Sequence, residues 1–309
     1  MTEMGKVRPS LLERAAEVYD FDAHLRGRGA PLPEPELVLQ PEQVAPTAPA
    51  AAVDAPPAAP PRVGSPVAAI DRGMLADKGL LVPGATIDAL VEEFRQVKRQ
   101  LLITARVLRT QDAAKARTIL VCSANAGEGK TYCAVNLAIS LAAERDNNVL
   151  LVDADFAKPD VMGRLGLHEG LGLLDALAAP VLDVERFIVD TDIPQLSLLP
   201  AGTKSNTDTE LLSSARTHEL IAALLAADPQ RIVIFDSPPA LAASPASVLA
   251  GLMGQVMLVV RADRTGESDL REAVAELDGC EHIQLVLNSV SYAPGGRRYG
   301  SYYPQEDAR

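Results

Sequence analysis

The sequence predicts an α/β fold, a mostly parallel central sheet flanked by helices. Three observations predict it. From Thr118 onward, short β-rich runs alternate with helical segments. Each run is almost continuously apolar, as strands covered on both faces are. A glycine-rich loop ending in Gly129-Lys130-Thr131 lies where the first of these strands gives way to a helix. The 309 residues suffice to bury a real core, and 48% hydrophobic against 23% charged residues is a globular balance.

Along the chain, residues 1–26 carry a short amphipathic helix from Ser10 to Phe21, with Ser10 and Glu13 spaced as a capping box. Residues 27–66 hold eleven of the 23 prolines, with alanine filling much of the rest, so a disordered, semi-rigid spacer is expected. The main domain is expected over 67–291. From Thr86 to about Arg106, Ile87, Leu90, Val91, Phe94, Val97, Leu101, Leu102 and Ala105 recur at helical spacing. The expected strands are Ile119–Ser123, Val149–Asp153, Leu196–Pro200, Ile232–Asp236, Val256–Val260 and Ile283–Asn288. No internal repeat is found. Residues 292–309 form a Gly- and Pro-bearing tail that holds four of the six tyrosines, Tyr292, Tyr299, Tyr302 and Tyr303. Fully extended, such a tail reaches about 60 Å.

Composition excludes several classes. With 29 basic and 41 acidic residues the net charge is -12, a poor match to a nucleic-acid backbone, so no nucleic-acid partner is expected. Three cysteines make no disulfide framework, and without a signal peptide they fit a reducing cytoplasm. No apolar run approaches the ~20 residues of a membrane-spanning helix, so a membrane role would run through a partner.

The chemistry concentrates at strand ends. Residues 124–131 read Ala-Asn-Ala-Gly-Glu-Gly-Lys-Thr, a P-loop with Ala124 at the usual first glycine, which sharpens the fold to that of the P-loop NTPases. Ala126, Gly127, Glu128, Gly129, Lys130, Thr131 and Tyr132 then wrap the phosphates of a nucleotide, with the helix dipole behind them. Lys130 neutralises β- and γ-phosphates, and the Thr131 hydroxyl can bind Mg²⁺. Asp153 and Asp155 follow the second strand, where α/β sheets place ligand groups; they can hold Mg²⁺ and orient or deprotonate an attacking hydroxyl. Asp236 ends a later apolar run and fits a Walker-B carboxylate holding Mg²⁺ through water. Asn288 ends the last strand, where its amide either reads a purine edge or caps a turn. Arg261 and Arg264 read as solvated loop charges more readily than as nucleotide ligands.

With these residues in place, the chain resembles bacterial tyrosine autokinases of exopolysaccharide assembly, in particular the subgroup found beside exosortase systems. The resemblance covers roughly Thr86 to the C-terminus and rests on the Ala126–Thr131 loop, Asp153-Ala154-Asp155, Asp236-Ser237-Pro238-Pro239 and the tyrosine cluster. It implies ATP and Mg²⁺ as cofactors, Lys130, Asp153 and Asp155 as the catalytic set, Thr131, Asp155 and Asp236 around the metal, and the four tail tyrosines as phosphoacceptors. It implies that Glu92, Arg95 and Lys98, spaced by three on one helix face, mediate assembly of a ring-like homo-oligomer. It also implies a separate membrane-embedded chain-length regulator as activator, and a peripheral position at the inner face of the plasma membrane. The chain departs from the family at Ala157, where many members have arginine, at Ala242–Ser244, where relatives often carry an acid, and at Lys98, which cannot reproduce arginine's fork. Two other readings share the P-loop. A positioning ATPase normally carries a lysine where this chain has Asn125 and lacks the tyrosine tail. A non-catalytic, nucleotide-gated scaffold draws support from the substitutions at Ala157 and Ser244.

Overall fold

The computed structural model describes residues 67–179, 183–205 and 208–290, all within one compact unit. The N-terminal helix, the Pro/Ala-rich spacer and the four tail tyrosines lie outside the described residues.

The seven strands are β1 (Thr118–Ser123), β2 (Asn148–Asp153), β3 (Val189–Asp190), β4 (Leu196–Leu199), β5 (Arg231–Asp236), β6 (Gln255–Arg261) and β7 (Ile283–Asn288). Their order across the sheet is β3-β4-β2-β5-β1-β6-β7, and every pairing is parallel except β3 with β4. The six expected strands are present. The seventh, β3, is a two-residue edge strand without an apolar run, so it left no pattern to read.

The helices are α1 (Arg72–Asp77), α2 (Ala89–Leu108), α3 (Lys130–Ala142), α4 (Val161–Arg164), α5 (Leu173–Ala178), α6 (Asp208–Leu212), α7 (Ala215–Ala227), α8 (Pro245–Leu252) and α9 (Glu267–Glu276). Side chains alternate across a strand, so β1 sends Ile119 and Val121 to one face and Leu120 and Cys122 to the other. The first face packs on α3 and the buried stripe of α2, through Phe94 and Leu101. The second packs on α5, α7, α8 and α9. Every residue of β1 and β5 is buried, which is why these strands read as unbroken apolar runs. The helix expected from Thr86 starts at Ala89, because the Asp88 carboxylate caps it by accepting the Val91 N–H at 2.9 Å.

Ahead of α2, residues 67–88 form a strap over the α3 face. Leu75, Leu80 and Leu81 are buried there, and the Leu81 N–H donates to the buried Asn136 side chain of α3 at 2.7 Å. No helix among the described residues is long and apolar enough to cross a membrane.

Candidate active site

The sheet order brings the site together. β5 lies between β1 and β2, so the loop after β1 and the acids ending β2 and β5 share one end of the sheet. The register pairs Asp153 directly with Asp236, which sets two fully buried carboxylates side by side.

The loop turns between β1 and α3 through Gly127 at φ 79° and Gly129 at φ 99°, a backbone region open to glycine at little cost. A Cβ at Gly129 would also come within 2.1 Å of the Asn288 Nδ2. Gly129→Ala is therefore expected to cost about 1–3 kcal/mol in backbone strain alone and to disorder the loop. Nucleotide titration followed by calorimetry checks this; unchanged affinity would contradict it.

Lys130 reaches across the sheet end. Its Nζ lies 2.5 Å from the Asp155 Oδ2 and 3.5 Å from the Thr131 Oγ1. Burial works against its charge, but Asp236, Asp155 and Asp153 together hold its pKa above the ordinary lysine value. The Asp155 Oδ1 accepts the Lys158 N–H at 3.1 Å.

Asp153 is enclosed by backbone. Its Oδ1 accepts the Asp155 N–H at 3.2 Å, and its Oδ2 accepts the N–H groups of Asp160 and Val161, each at 3.0 Å. It thereby folds the loop that presents Asp155. Burial, with the Asp236 charge beside it, pushes its carboxyl up to about 7 even though these amides pull the other way. Asp236 is the opposite case. It is 0% exposed, and neither oxygen has a hydrogen-bond partner. Burial pushes it up to about 6, while the Lys130 ammonium and the nearby Thr131 hydroxyl pull it back. A buried carboxylate with both oxygens unpartnered is costly in an apolar setting, so it marks a place built for a ligand.

Other expected site residues fall less simply. Ala126 and Gly127 sit exposed at the loop tip. Glu128 turns inward and is 2% exposed; its carboxylate accepts the Asn125 N–H at 3.0 Å and the Thr265 hydroxyl at 2.6 Å. Its side chain is a buried anchor, so only its backbone is left for phosphate. The Tyr132 hydroxyl donates to the Gly79 carbonyl at 2.9 Å, which ties its ring to the strap. Asn288 donates to the Glu128 carbonyl at 2.9 Å and accepts the Ser289 N–H at 2.9 Å. Its amide thus seats on the loop, nearer to the turn-capping reading than to a base reader. On α2, Glu92 and Arg95 pair with each other. Lys98 folds back onto its own α3, donating to the Ser140 carbonyl and meeting the Glu144 carboxylate, both at 2.9 Å. Glu92 and Arg95 remain on the helix surface, and Lys98 does not join them there.

Sequence reasoning missed the loop's outer supports. Arg261 donates from Nη1 to the Gly127 carbonyl at 2.8 Å, and the Asn125 side chain donates to Asp269 at 2.7 Å. Charged and polar residues at strand ends were the available signal, but nothing in their local pattern distinguishes a loop support from a solvated charge.

A glycine loop feeding a buried helix, with its lysine drawn onto strand-end carboxylates of a parallel sheet, defines a P-loop nucleotide-binding domain. The AAA domain model matches residues 116–265. EpsB of Ralstonia nicotianae is 30% identical over 70% of this chain, which covers 28% of EpsB. The tyrosine-protein kinase YwqD of Bacillus subtilis is 32% identical over 62% of this chain, which covers 79% of YwqD. Among solved structures, the VpsO kinase domain superposes with a TM-score of 0.53 at 30% identity, covering 63% of this chain and 98% of that one. The chain belongs to the bacterial tyrosine-protein kinase family. It spans under a third of EpsB's length and most of YwqD's.

Proposed function

We propose that the chain is an ATP- and Mg²⁺-dependent protein-tyrosine autokinase that phosphorylates its own C-terminal tyrosines, and so regulates exopolysaccharide polymerisation or export. The observation that carries this reading is Asp236, buried at the mouth of the phosphate loop with both oxygens unpartnered beside Lys130. Membership of the tyrosine-protein kinase family turns a nucleotide site into a phosphotransfer site.

The donor set suits Mg²⁺. Thr131 and Asp155 offer the hard oxygens this ion takes, and Asp236 would hold it through water. When bound, it supplies charge neutralisation at the transferring phosphoryl group. Lys130 would exchange its Asp155 contact for the phosphates. The loop's N–H groups would hold those phosphates and keep water out. Asp153 is the carboxylate matched to take a tyrosine proton near neutral pH, since a general base works best with a pKa near the working pH. Releasing one of the hydrogen bonds it accepts from backbone N–H groups would free the oxygen that receives the proton.

The tail acceptors are Tyr292, Tyr299, Tyr302 and Tyr303, and assembly into a homo-oligomer, with Glu92 and Arg95 on the exposed face of α2, would bring one chain's tail to a neighbour's site. Activation by a separate membrane-embedded chain-length regulator, and a place at the inner membrane face through that partner, follow from the family resemblance. Replacing all four tyrosines with phenylalanine tests the acceptor assignment. Self-phosphorylation is expected to vanish while transfer to an added tyrosine peptide persists. Undiminished self-phosphorylation would refute it.

A further inference from the structure

The phosphate loop is held from outside by two side chains that end neighbouring strands. Arg261, at the end of β6, donates to the Gly127 carbonyl at 2.8 Å, and Asn288, at the end of β7, donates to the Glu128 carbonyl at 2.9 Å. The register places the two residues opposite each other. A trans peptide points its C=O and its N–H in opposite directions. Fixing the Gly127 carbonyl therefore fixes the direction of the Glu128 N–H, and fixing the Glu128 carbonyl fixes the Gly129 N–H. Both N–H groups are turned away from the supports, to the side where an anion is cradled.

The rest of the network serves the same geometry. The Thr265 hydroxyl donates to the buried Glu128 carboxylate at 2.6 Å and accepts the Arg261 N–H at 3.0 Å. The Arg261 guanidinium thus grips the loop directly, while its backbone N–H orients the Thr265 hydroxyl that holds Glu128. Asn288 is oriented by its own oxygen, which accepts the Ser289 N–H at 2.9 Å. A flipped amide would set acceptor against acceptor at Glu128 and donor against donor at Ser289.

We infer that Arg261 and Asn288 are positioning residues that aim the loop's N–H donors before nucleotide arrives, so that Asn288 governs affinity for phosphate and does not select the base. The inference rests on the nucleotide-site reading above and deepens it. A loop already held in its binding form loses less entropy when ligand binds. Removing either clamp leaves a carbonyl free to rotate and lets the N–H behind it turn off target.

The test is calorimetric titration of the full chain with ATP, ADP and GTP, comparing wild type with Arg261→Met, Arg261→Lys and Asn288→Ala. Arg261→Met and Asn288→Ala are expected to weaken ATP and ADP about tenfold, the scale of one hydrogen bond to loop geometry. GTP should weaken by the same factor, leaving the ATP-to-GTP ratio unchanged. Arg261→Lys, which keeps a donor for the Gly127 carbonyl, should recover much of the loss; a general loss of folding would not be rescued this way. Wild-type affinity in Arg261→Met would overturn the clamp. A changed ATP-to-GTP ratio in Asn288→Ala would overturn the assignment of Asn288 and make it a base reader. No binding by the wild-type chain would overturn the nucleotide-site reading and the clamp with it.

Discussion

Lys130→Met is expected to lower the rate of tyrosine phosphorylation by about 100- to 1,000-fold, the scale of losing one preorganised charge at a developing oxyanion. The argument starts from burial. Lys130 is the cation that three strand-end carboxylates hold in its charged form, and its partner Asp155 has a side chain only 5% exposed. Methionine keeps the stem's packing and removes the charge. Phosphate then meets Asp153, Asp155 and Asp236 with no ammonium between them, so repulsion replaces neutralisation. Measuring phosphotyrosine formation in the variant beside wild type checks this, and a loss of less than about tenfold would contradict the role given to Lys130.

Asp236→Asn is expected to do two opposite things. Phosphotransfer should fall by about 10- to 100-fold, as when a group behind a metal ligand shell is lost. The nucleotide-free protein should become more stable above pH 6. The sign follows from the direction of the shift. Asp236 titrates at about 6 when folded, above its ordinary value of 3.8. The folded state therefore binds this proton more tightly than the unfolded chain. The associated stability is fully present below about pH 4 and is lost as pH rises through about 6. Asp153, raised to about 7, behaves the same way and extends the window upward. Asparagine removes the ionisation at Asp236 and so this loss. At pH 8 the variant's Tm should exceed wild type by about 3 °C or more, with the gap closing toward pH 5. A variant less stable than wild type at pH 8 would mean that the carboxylate is satisfied in the free protein.

The two effects belong together. A carboxylate that costs the fold stability and is kept at the end of β5, beside the phosphate loop, is a functional expense, and the unpartnered oxygens of Asp236 are its visible form.

What could be read from sequence follows from the range of each interaction. Five of the longer strands were legible because burial on both faces leaves a continuous apolar run, as in Arg231–Asp236; β7 was legible from its apolar run alone, since Leu285 and Leu287 are exposed. The lysine, the loop glycines and the three acids were legible because their motifs are short and sit at strand ends. The strap helix Arg72–Asp77 was not, since six residues carry too little periodicity. Glu128 looked like one more loop acid; its burial depends on Thr265, 137 residues away. Arg261 looked solvated because its partner, Gly127, is 134 residues distant. Lys98 looked free to meet a neighbour because its Ser140 carbonyl partner on α3 is 42 residues on, with Glu144 just beyond. Contacts across such separations leave no local pattern.

The central claim is phosphotransfer from nucleotide to the chain's own tail. The most direct measurement is the intact mass of phosphatase-treated protein after incubation with Mg-ATP, with the added groups mapped. Phosphate units on Tyr292, Tyr299, Tyr302 or Tyr303, absent in Lys130→Met, are the predicted result. Steady release of free phosphate with no mass added, even with a candidate activator fragment supplied, would contradict it and indicate a positioning ATPase.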